Sequence, residues 1–198
     1  MKKYSRASKK TTSPSLLKLL ARNPYKTLIS TLLSSRTKDE VTLDASKKLF
    51  NKAPTINKLG QLNQLEIRNL IYPVGFYKTK ARQLIKLAEL TINQFDGKIP
   101  NNREDLVKLP GVGRKTANLV LNRAFGKPAI AVDTHVHKIS NILGWVKTKT
   151  PEQTEKELTK ILPKKYWSDI NRLFVSVGRQ FTTKKRLKEY LIKEGLTS

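Results

Sequence analysis

The 198-residue sequence predicts an all-α protein with two helical domains. Apolar residues recur at three- and four-residue spacing from Ser15 onward, which is the pattern of helices that bury one face. Sustained alternation of apolar and polar residues is absent, and the one strand-like piece is the short Ala129–Val132. A composition of 38% apolar and 28% charged residues is typical of a globular chain. We expect about nine to eleven helices joined by short turns.

The apolar stripes locate the individual helices. In Lys78–Phe95 the stripe consists of Ala81, Leu84, Ile85, Ala88, Ile92 and Phe95. Similar stripes predict further helices at Lys26–Leu33, Val41–Phe50, Leu62–Ile71, Glu152–Leu162, Tyr166–Val177 and Arg186–Ile192. Residues at the helix ends fit this pattern. Thr37 with Glu40, and Thr150 with Gln153, have the spacing of capping boxes. A proline after Thr150 suits the first helical position, and Gly195 suits the end of the last helix.

The segment Gly126-Lys127-Pro128 marks a domain boundary, because glycine followed by proline must end one helix before the next apolar stretch. We expect one helical domain over residues 15–127 and a second over residues 128–198. Residues 1–14 are basic and poor in apolar side chains, so we expect a flexible arm there. Residues near the N-terminus could also help to complete the second domain.

The charge of the chain indicates a polyanionic partner. Lys and Arg number 40 against 15 Asp and Glu, which gives a net charge of +25. Ten of the basic residues precede the first acidic residue, Asp39. Such an excess favours electrostatic capture of nucleic acid over a role in solubility alone. No apolar run approaches the roughly 20 residues that a membrane span needs, so we expect no membrane partner.

The absence of cysteine narrows the chemistry. It excludes disulfides, cysteine nucleophiles, zinc–cysteine sites and cysteine-ligated iron–sulfur clusters. Two histidines, His135 and His137, are spaced i, i+2 and have no third ligand type nearby, so we expect no metal site. We interpret His137 as a surface residue.

The motif Leu109-Pro110-Gly111-Val112-Gly113 lies between two predicted helices. Proline stops the first helix, and two glycines permit positive φ and a close approach by another chain. The next helix then starts with backbone amides at the positive end of its dipole, a suitable cradle for a phosphate oxygen. An ordinary tight turn between helices has the same chemistry. Arg114 and Lys115 beside the glycines favour phosphate binding, and we expect Val112 to anchor the turn from inside.

The hairpin and the residues that follow it resemble a known family. The run LPGVGRKTANLVLNRAFGKPAIAVDTHVHKI, from Leu109 to Ile139, is similar to the helix–hairpin–helix and following region of the endonuclease III family of DNA glycosylases. Weaker similarity covers Leu28–Thr42 and Ile71–Arg82. The resemblance implies a DNA-binding cleft between two helical domains, and a monomer inside a prokaryotic cell at the nucleoid. It also implies duplex DNA with a damaged base or an abasic site as partner, contacted through Gly111, Val112, Gly113, Arg114 and Thr116.

The resemblance implies that Lys115 is the nucleophile that attacks C1′ of the damaged nucleotide, and that Asp133 is the catalytic carboxylate. Lys115 falls in the first turn of a helix beside Arg114, where positive charge disfavours an ammonium and favours the neutral amine that attack requires. Asp133 could take a proton and stabilise charge on the sugar. Its position before Val136 and Ile139 is also that of an ordinary N-cap, and the two roles can coexist.

Three further residues have roles implied by the resemblance. Phe76 matches an apolar residue that enters the duplex when the base is extruded; the alternative is that Phe76 and Tyr77 belong to the core. Arg36 could occupy the vacated position or contact the opposite base, or it could be a solvated cap. His135 could contact DNA.

The largest departure from the family is at the C-terminus. Most relatives carry four cysteines that bind a [4Fe–4S] cluster, and this chain has none. We therefore expect no cofactor. Leu187, Tyr190, Leu191 and Ile192 form a stripe that can close the second domain instead. The opposite face, with Lys184, Lys185, Lys188 and Lys193, could contact phosphates.

The resemblance implies a bifunctional DNA glycosylase and AP lyase that removes oxidised pyrimidines such as thymine glycol. Two alternatives stay open: a related glycosylase for 8-oxoguanine or for mismatched thymine or uracil, and a non-catalytic DNA-binding module that uses only the hairpin. The lysine at 115 argues against the adenine-mismatch relatives, which carry a serine-like residue there and are not lyases.

Overall fold

The computed structural model describes residues 22–181 and 183–196, which form two compact units that meet in sequence between Lys127 and Pro128. The expected arm at residues 1–14 lies outside the described residues. Within the described residues there are eleven α-helices, one 3₁₀ turn and no strand. None of these helices is both long and apolar enough to cross a membrane.

The unit that ends at Lys127 contains seven α-helices among its described residues. They are α1 (Pro24–Ser34), α2 (Asp39–Lys52), α3 (Ile56–Gly60), α4 (Gln64–Ile71), α5 (Tyr77–Phe95), α6 (Arg103–Leu106) and α7 (Arg114–Phe125). Helix α1 packs against α2 and α7, and α5 packs against α3 and α4. Buried aliphatic side chains at helical spacing drive this packing, among them Leu28, Leu33, Leu84, Leu87 and Val120.

The unit that begins at Pro128 contains α8 (Thr134–Ile142), α9 (Pro151–Ile161), a 3₁₀ turn (Lys164–Tyr166), α10 (Trp167–Gln180) and α11 (Lys184–Lys193). Its core is a single apolar cluster to which every one of these α-helices contributes, including Val136, Leu158, Phe174, Leu187 and Leu191. The Phe181 and Tyr190 rings stack with centroids 4.3 Å apart and join the end of α10 to α11.

The structure confirms part of the stripe expected in α11 and corrects the rest. Leu187 and Leu191 are buried and Tyr190 is half-buried, but Ile192 is 45% exposed. Ile192 lies beyond the buried arc because it directly follows Leu191 and is therefore about 100° away from it around the helix. Gly195 has φ +65° and its amide donates to Ile192, so the prediction that it ends the helix is confirmed.

One strand-like segment is not a strand, and one local prediction is wrong. Ala129–Val132 has no regular secondary structure, and the side chains of Ile130, Ala131 and Val132 are buried. Thr37 does not cap α2, because the N-cap is Lys38 and makes no side-chain cap bond. The N-cap half of the capping box predicted at Thr150 is confirmed, with its hydroxyl accepting from the Gln153 backbone amide at 3.2 Å. The Gln153 side chain accepts from the Lys149 amide at 2.9 Å instead of the Thr150 amide.

Candidate nucleic-acid interface and active-site residues

The hairpin between α6 and α7 is built around two buried apolar side chains. Leu109 and Val112 are 1% and 6% exposed, and the Val112 amide donates to the Leu109 carbonyl at 3.0 Å. The prediction that Val112 anchors the turn is confirmed. Gly111 has φ +81°, and a Cβ there would lie 3.0 Å from Oε1 of Gln83 on α5. Gly111 is therefore favoured by its backbone angle, and the end of the Gln83 side chain packs closely against it.

Of the two glycines for which positive φ is permitted, Gly113 does not use it. It is the N-cap of α7 with φ −93°, an angle that any residue adopts, and a Cβ there would meet no atom within 4 Å. Its lack of a side chain leaves open space immediately before the first turn of α7. That space is what a close approach to the helix N-terminus requires.

Lys115 is exposed in the first turn of α7, as the sequence predicts. Arg114 is also exposed beside it, Thr116 is half-buried, and the first turn contains no acidic residue. The amides that open a helix lie outside its own hydrogen-bond ladder and concentrate positive potential. The α7 N-terminus therefore combines a positive dipole end with two cations, an arrangement that attracts an anion.

Asp133 is the N-cap of α8 and its carboxylate is held in place. Oδ1 accepts from the amides of His135 at 3.0 Å and Val136 at 2.9 Å. The chain just before it is fixed by Asn171 of α10, which is buried and donates from Nδ2 to the Ala131 carbonyl at 2.9 Å. Asp133 is thus a cap and is also rigidly placed, so capping and a catalytic role are compatible in this geometry.

His135 packs against a glycine inside α10. A Cβ added to Gly178 would overlap the imidazole ring of His135, including Nδ1. A glycine in a helix interior costs about 1 kcal/mol relative to alanine. Gly178 is explained by the ring that lies on it, and the contact places His135 beside the Asp133 cap. Sequence reasoning missed this role, although an interior helical glycine is a detectable signal.

His137 is not a surface residue, contrary to the sequence interpretation. It is half-buried, and Nδ1 lies 2.6 Å from the hydroxyl of the buried Thr154. The hydroxyl oxygens of Thr154 and Thr148 lie 2.6 Å apart, and the side-chain amide of Asn141 donates a hydrogen bond to the Thr148 hydroxyl. The polar side chains between α8 and α9 satisfy one another, which explains how an imidazole is accommodated there.

Phe76 and Arg36 form a stacked pair on the surface of the other unit. Phe76 is 62% exposed, so the alternative that it is a core residue is wrong. The guanidinium of Arg36 lies 5.4 Å from the centroid of its ring. Both residues have positive φ, +58° for Phe76 and +52° for Arg36. Such angles are uncommon for side-chain-bearing residues and accumulate at functional positions.

The two loops that carry this pair are joined directly. The Gly75 amide donates to the Thr37 hydroxyl at 3.1 Å, and a Cβ on Gly75 would overlap the Arg36 carbonyl oxygen. Tyr77 packs edge-on against Tyr72 with centroids 5.3 Å apart. Tyr72 is itself 59% exposed and was missed by sequence reasoning.

A cysteine-ligated iron–sulfur cluster does not fit these residues. The chain has no cysteine, and the described residues contain no group of three or more His, Asp or Glu side chains placed to hold a metal. The end of α10 continues through Phe181 into the basic helix α11. No step of the chemistry is therefore assigned to such a group.

An all-α fold in which a glycine hairpin leads into a basic helix N-terminus defines a helix–hairpin–helix protein suited to contact a phosphate backbone. The family model for the HhH-GPD superfamily base excision DNA repair protein matches residues 29–164. The endonuclease III of Thermotoga maritima is 49% identical over 158 residues, which are 80% of this chain and 74% of the relative. The endonuclease III-like protein 1 of Bos taurus is 43% identical over 79% of this chain, but this chain spans only 52% of that longer relative.

Solved structures agree. A non-covalent endonuclease III–DNA complex matches with a TM-score of 0.80 and 36% identity, over 93% of this chain and 85% of that chain. A trapped endonuclease III–DNA covalent intermediate matches with a TM-score of 0.76 and 39% identity, over 83% and 78%. The chain belongs to the HhH-GPD superfamily of base excision DNA repair proteins, among the relatives of endonuclease III. It is a bifunctional DNA glycosylase and AP lyase.

Proposed function

We propose that the protein removes oxidised pyrimidines such as thymine glycol from duplex DNA and cleaves the resulting abasic site through a Schiff base on Lys115. The observation that carries the proposal is the exposed Lys115 in the first turn of α7, directly after the hairpin. A lysine in this turn lies at the helix end that attracts a phosphate, and its primary amine is the nucleophile that a Schiff base requires.

The proposed reaction begins at C1′ of the damaged nucleotide. Neutral Nζ of Lys115 attacks C1′, and the C1′–N bond to the base breaks with its electron pair leaving on the base, which takes a proton. Nζ then loses one proton, and its lone pair forms a double bond to C1′ as the C1′–O4′ bond of the sugar ring breaks and O4′ takes a proton. The product is a protonated Schiff base between Nζ and C1′. Removal of a proton from C2′ then expels the 3′ phosphate and breaks the strand.

Asp133 supplies the carboxylate in this proposal. Its first role is to accept a proton from the Lys115 ammonium or the attacking nitrogen, and its second is to stabilise positive charge on the sugar as the base leaves. The two amides on Oδ1 keep the carboxylate in one orientation. This preorganisation is what electrostatic stabilisation of a transition state requires.

The hairpin and α11 supply contacts to the DNA backbone in this proposal. Gly111, Gly113 and the α7 N-terminus cradle a phosphate, and such a contact carries no base information. On α11, Lys184, Lys185, Lys188 and Lys193 are exposed and can neutralise further phosphates. Thr116, half-buried within the first turn, lines the same end of α7.

In this proposal Phe76 and Arg36 occupy the gap in the duplex that an extruded nucleotide leaves. The exposed ring of Phe76 enters the duplex, and the guanidinium stacked on it reaches the opposite base. His135, beside the Asp133 cap, contacts the DNA. The protein acts as a monomer on the chromosome inside the cell, and sedimentation in the absence of DNA tests the monomer.

We infer that the protein carries no iron–sulfur cluster. A cluster of this type is held by thiolates, and the chain has no cysteine. The purified protein is expected to be colourless and free of bound iron, and it should keep its lyase activity after treatment with an iron chelator. Iron analysis and a visible absorbance spectrum measure this; stoichiometric iron or a brown colour contradicts it.

A panel of single-lesion duplexes tests the function. Duplexes with thymine glycol, 8-oxoguanine, mismatched uracil, mismatched thymine or a preformed abasic site are incubated with the protein and sodium borohydride. We expect a covalent adduct with thymine glycol and with the abasic site. An adduct with 8-oxoguanine or a mismatched pyrimidine instead shows that the protein has the substrate preference of a related glycosylase. Binding without any adduct contradicts the Schiff base proposed for Lys115.

The same panel, titrated for binding at two salt concentrations, tests the backbone contacts. If six to ten phosphates are neutralised, affinity falls by about a thousandfold or more between 50 and 200 mM salt. A flat salt profile contradicts the phosphate contacts but leaves the covalent chemistry intact.

A further inference from the structure

The buried side chain of Lys80 has no part in the chemistry proposed above. Lys80 is on α5 and is only 7% exposed. Its Nζ donates to the carbonyl of Leu33 at 2.8 Å and to the carbonyl of Ser35 at 2.6 Å. A third contact reaches the hydroxyl of Thr37 at 3.4 Å. Within the described residues no carboxylate lies within ion-pair distance of this ammonium, and burial lowers the pKa of Lys80 to about 8.

The acceptors of Lys80 surround Arg36 in sequence. Leu33 lies in the last turn of α1, and Ser35 is its C-cap. A cation at the carbonyl end of a helix satisfies oxygens that have no intrahelical partner and interacts favourably with the dipole. Because Lys80 contacts residues on both sides of Arg36, it fixes the backbone from which the guanidinium projects.

The backbone of Lys80 is tied to the second half of the stacked pair. Its amide donates to the carbonyl of Phe76, one helical turn earlier, at 2.9 Å. Phe76 is the N-cap of α5, so Lys80 lies in the first turn of the same helix. Thr37 closes the connection, because its hydroxyl also accepts from the amide of Gly75. One residue thus links the Arg36 loop to the Phe76 loop.

We propose that Lys80 is a positioning residue that holds Arg36 and Phe76 as one rigid element for insertion into the duplex beside an extruded nucleotide. The proposal rests on the proposed function, which gives the stacked pair its role. Lys80 touches neither the reacting sugar nor the base. It acts by keeping two positive-φ residues in register, since a loosened loop would let the ring and the guanidinium separate.

The contacts explain why an apolar residue does not do the same work. An aliphatic side chain of equal length would avoid the cost of burying an ammonium, but it would leave the Leu33 and Ser35 oxygens without this donor. Helix α5 also places Gln83 against Gly111 of the hairpin, one turn beyond Lys80. The same helix therefore supports both the inserted pair and the phosphate-binding turn.

The test uses three variants of the full chain. Lys80→Met removes the donor and keeps the length of the side chain. Thr37→Val removes the hydroxyl that joins the two loops. Lys86→Met is the matched control, because Lys86 is exposed on the same helix. Binding is compared between an undamaged duplex and a duplex with a tetrahydrofuran abasic analogue, and 2-aminopurine opposite the analogue reports insertion by fluorescence.

We expect Lys80→Met to lose about tenfold of the preference for the abasic duplex and most of the fluorescence change. Thr37→Val is expected to lose less in the same direction, and Lys86→Met nothing. Borohydride trapping on a single-stranded abasic oligonucleotide, which needs no insertion, should be unchanged in all three. A merely structural role would lower trapping on single-stranded and duplex DNA alike.

Other outcomes contradict either the role of Lys80 or the proposed function on which it rests. Full preference and full fluorescence in folded Lys80→Met overturn it. If Lys80→Met does not fold, Thr37→Val decides alone, and unchanged preference in that variant overturns the proposal. If the wild-type protein forms no adduct, the proposed function fails. If Phe76→Ala keeps the full preference, the insertion role fails while the lyase chemistry stands.

Discussion

Lys115→Gln is expected to abolish the borohydride-trapped adduct, with a loss of at least about a thousandfold in the rate of strand cleavage at an abasic site. The amide of glutamine has no nucleophilic lone pair and forms no Schiff base. Lys115 is exposed in the first turn of α7, so its replacement opens no cavity in the core. Gel separation of the trapped complex and single-turnover cleavage measure the effect.

The fold and the affinity of this variant serve as the check. The circular dichroism spectrum should be unchanged. The affinity for an uncleaved abasic analogue should fall only by the contribution that one cation makes to phosphate binding. Lys108→Gln is a suitable comparison, because Lys108 lies on the other side of the hairpin in an exposed ion pair with Asp105. An adduct of normal yield in Lys115→Gln would assign the nucleophile to another amine.

Asp133→Asn is expected to keep duplex affinity while lowering single-turnover cleavage by about a hundred- to ten-thousandfold, the usual range for a general acid or base. Asparagine keeps an oxygen that accepts from the His135 and Val136 amides, so the cap survives. Asparagine and aspartate are about equally good N-caps, so the free energy of unfolding should fall by less than about 1 kcal/mol.

Asp133→Ala separates the two roles of this side chain. It removes the cap as well as the carboxylate and should cost about 1 kcal/mol of stability in addition to activity. Thermal unfolding followed by circular dichroism measures the stability of both variants. Equal loss of affinity and turnover in Asp133→Asn would show that the aspartate is a structural cap alone.

The sequence was sufficient for features that depend on local chemistry. Helical periodicity located the long helices, because burial of one face follows directly from spacing. The hairpin was predictable from Pro110 and its two glycines, and so was the placement of Lys115 in the first turn of α7. The Asp133 cap followed from its position before an apolar stripe.

Features that depend on contacts between distant segments could not be predicted from the local sequence. Lys80 has the spacing of the buried face of α5, but lysine is rarely buried, so the sequence alone predicts an exposed side chain there. The carbonyl groups that accept from its ammonium lie 45 and 47 residues away in the sequence and become known only from the structure. Thr37 has the spacing of a cap, yet its hydroxyl is used by Gly75, 38 residues on. Glycine permits positive φ at both Gly111 and Gly113, and only the three-dimensional path of the turn decides that Gly111 adopts it.

The contact between Gly178 and His135 has a consequence for protein engineering. Exchange of an interior helical glycine for alanine is a common stabilising step, since it restricts the unfolded chain and improves helix propensity. In α10 the same exchange would push a methyl group into the imidazole that lies on that glycine. A thermostabilisation campaign on this scaffold should therefore leave position 178 untouched and direct its alanines elsewhere.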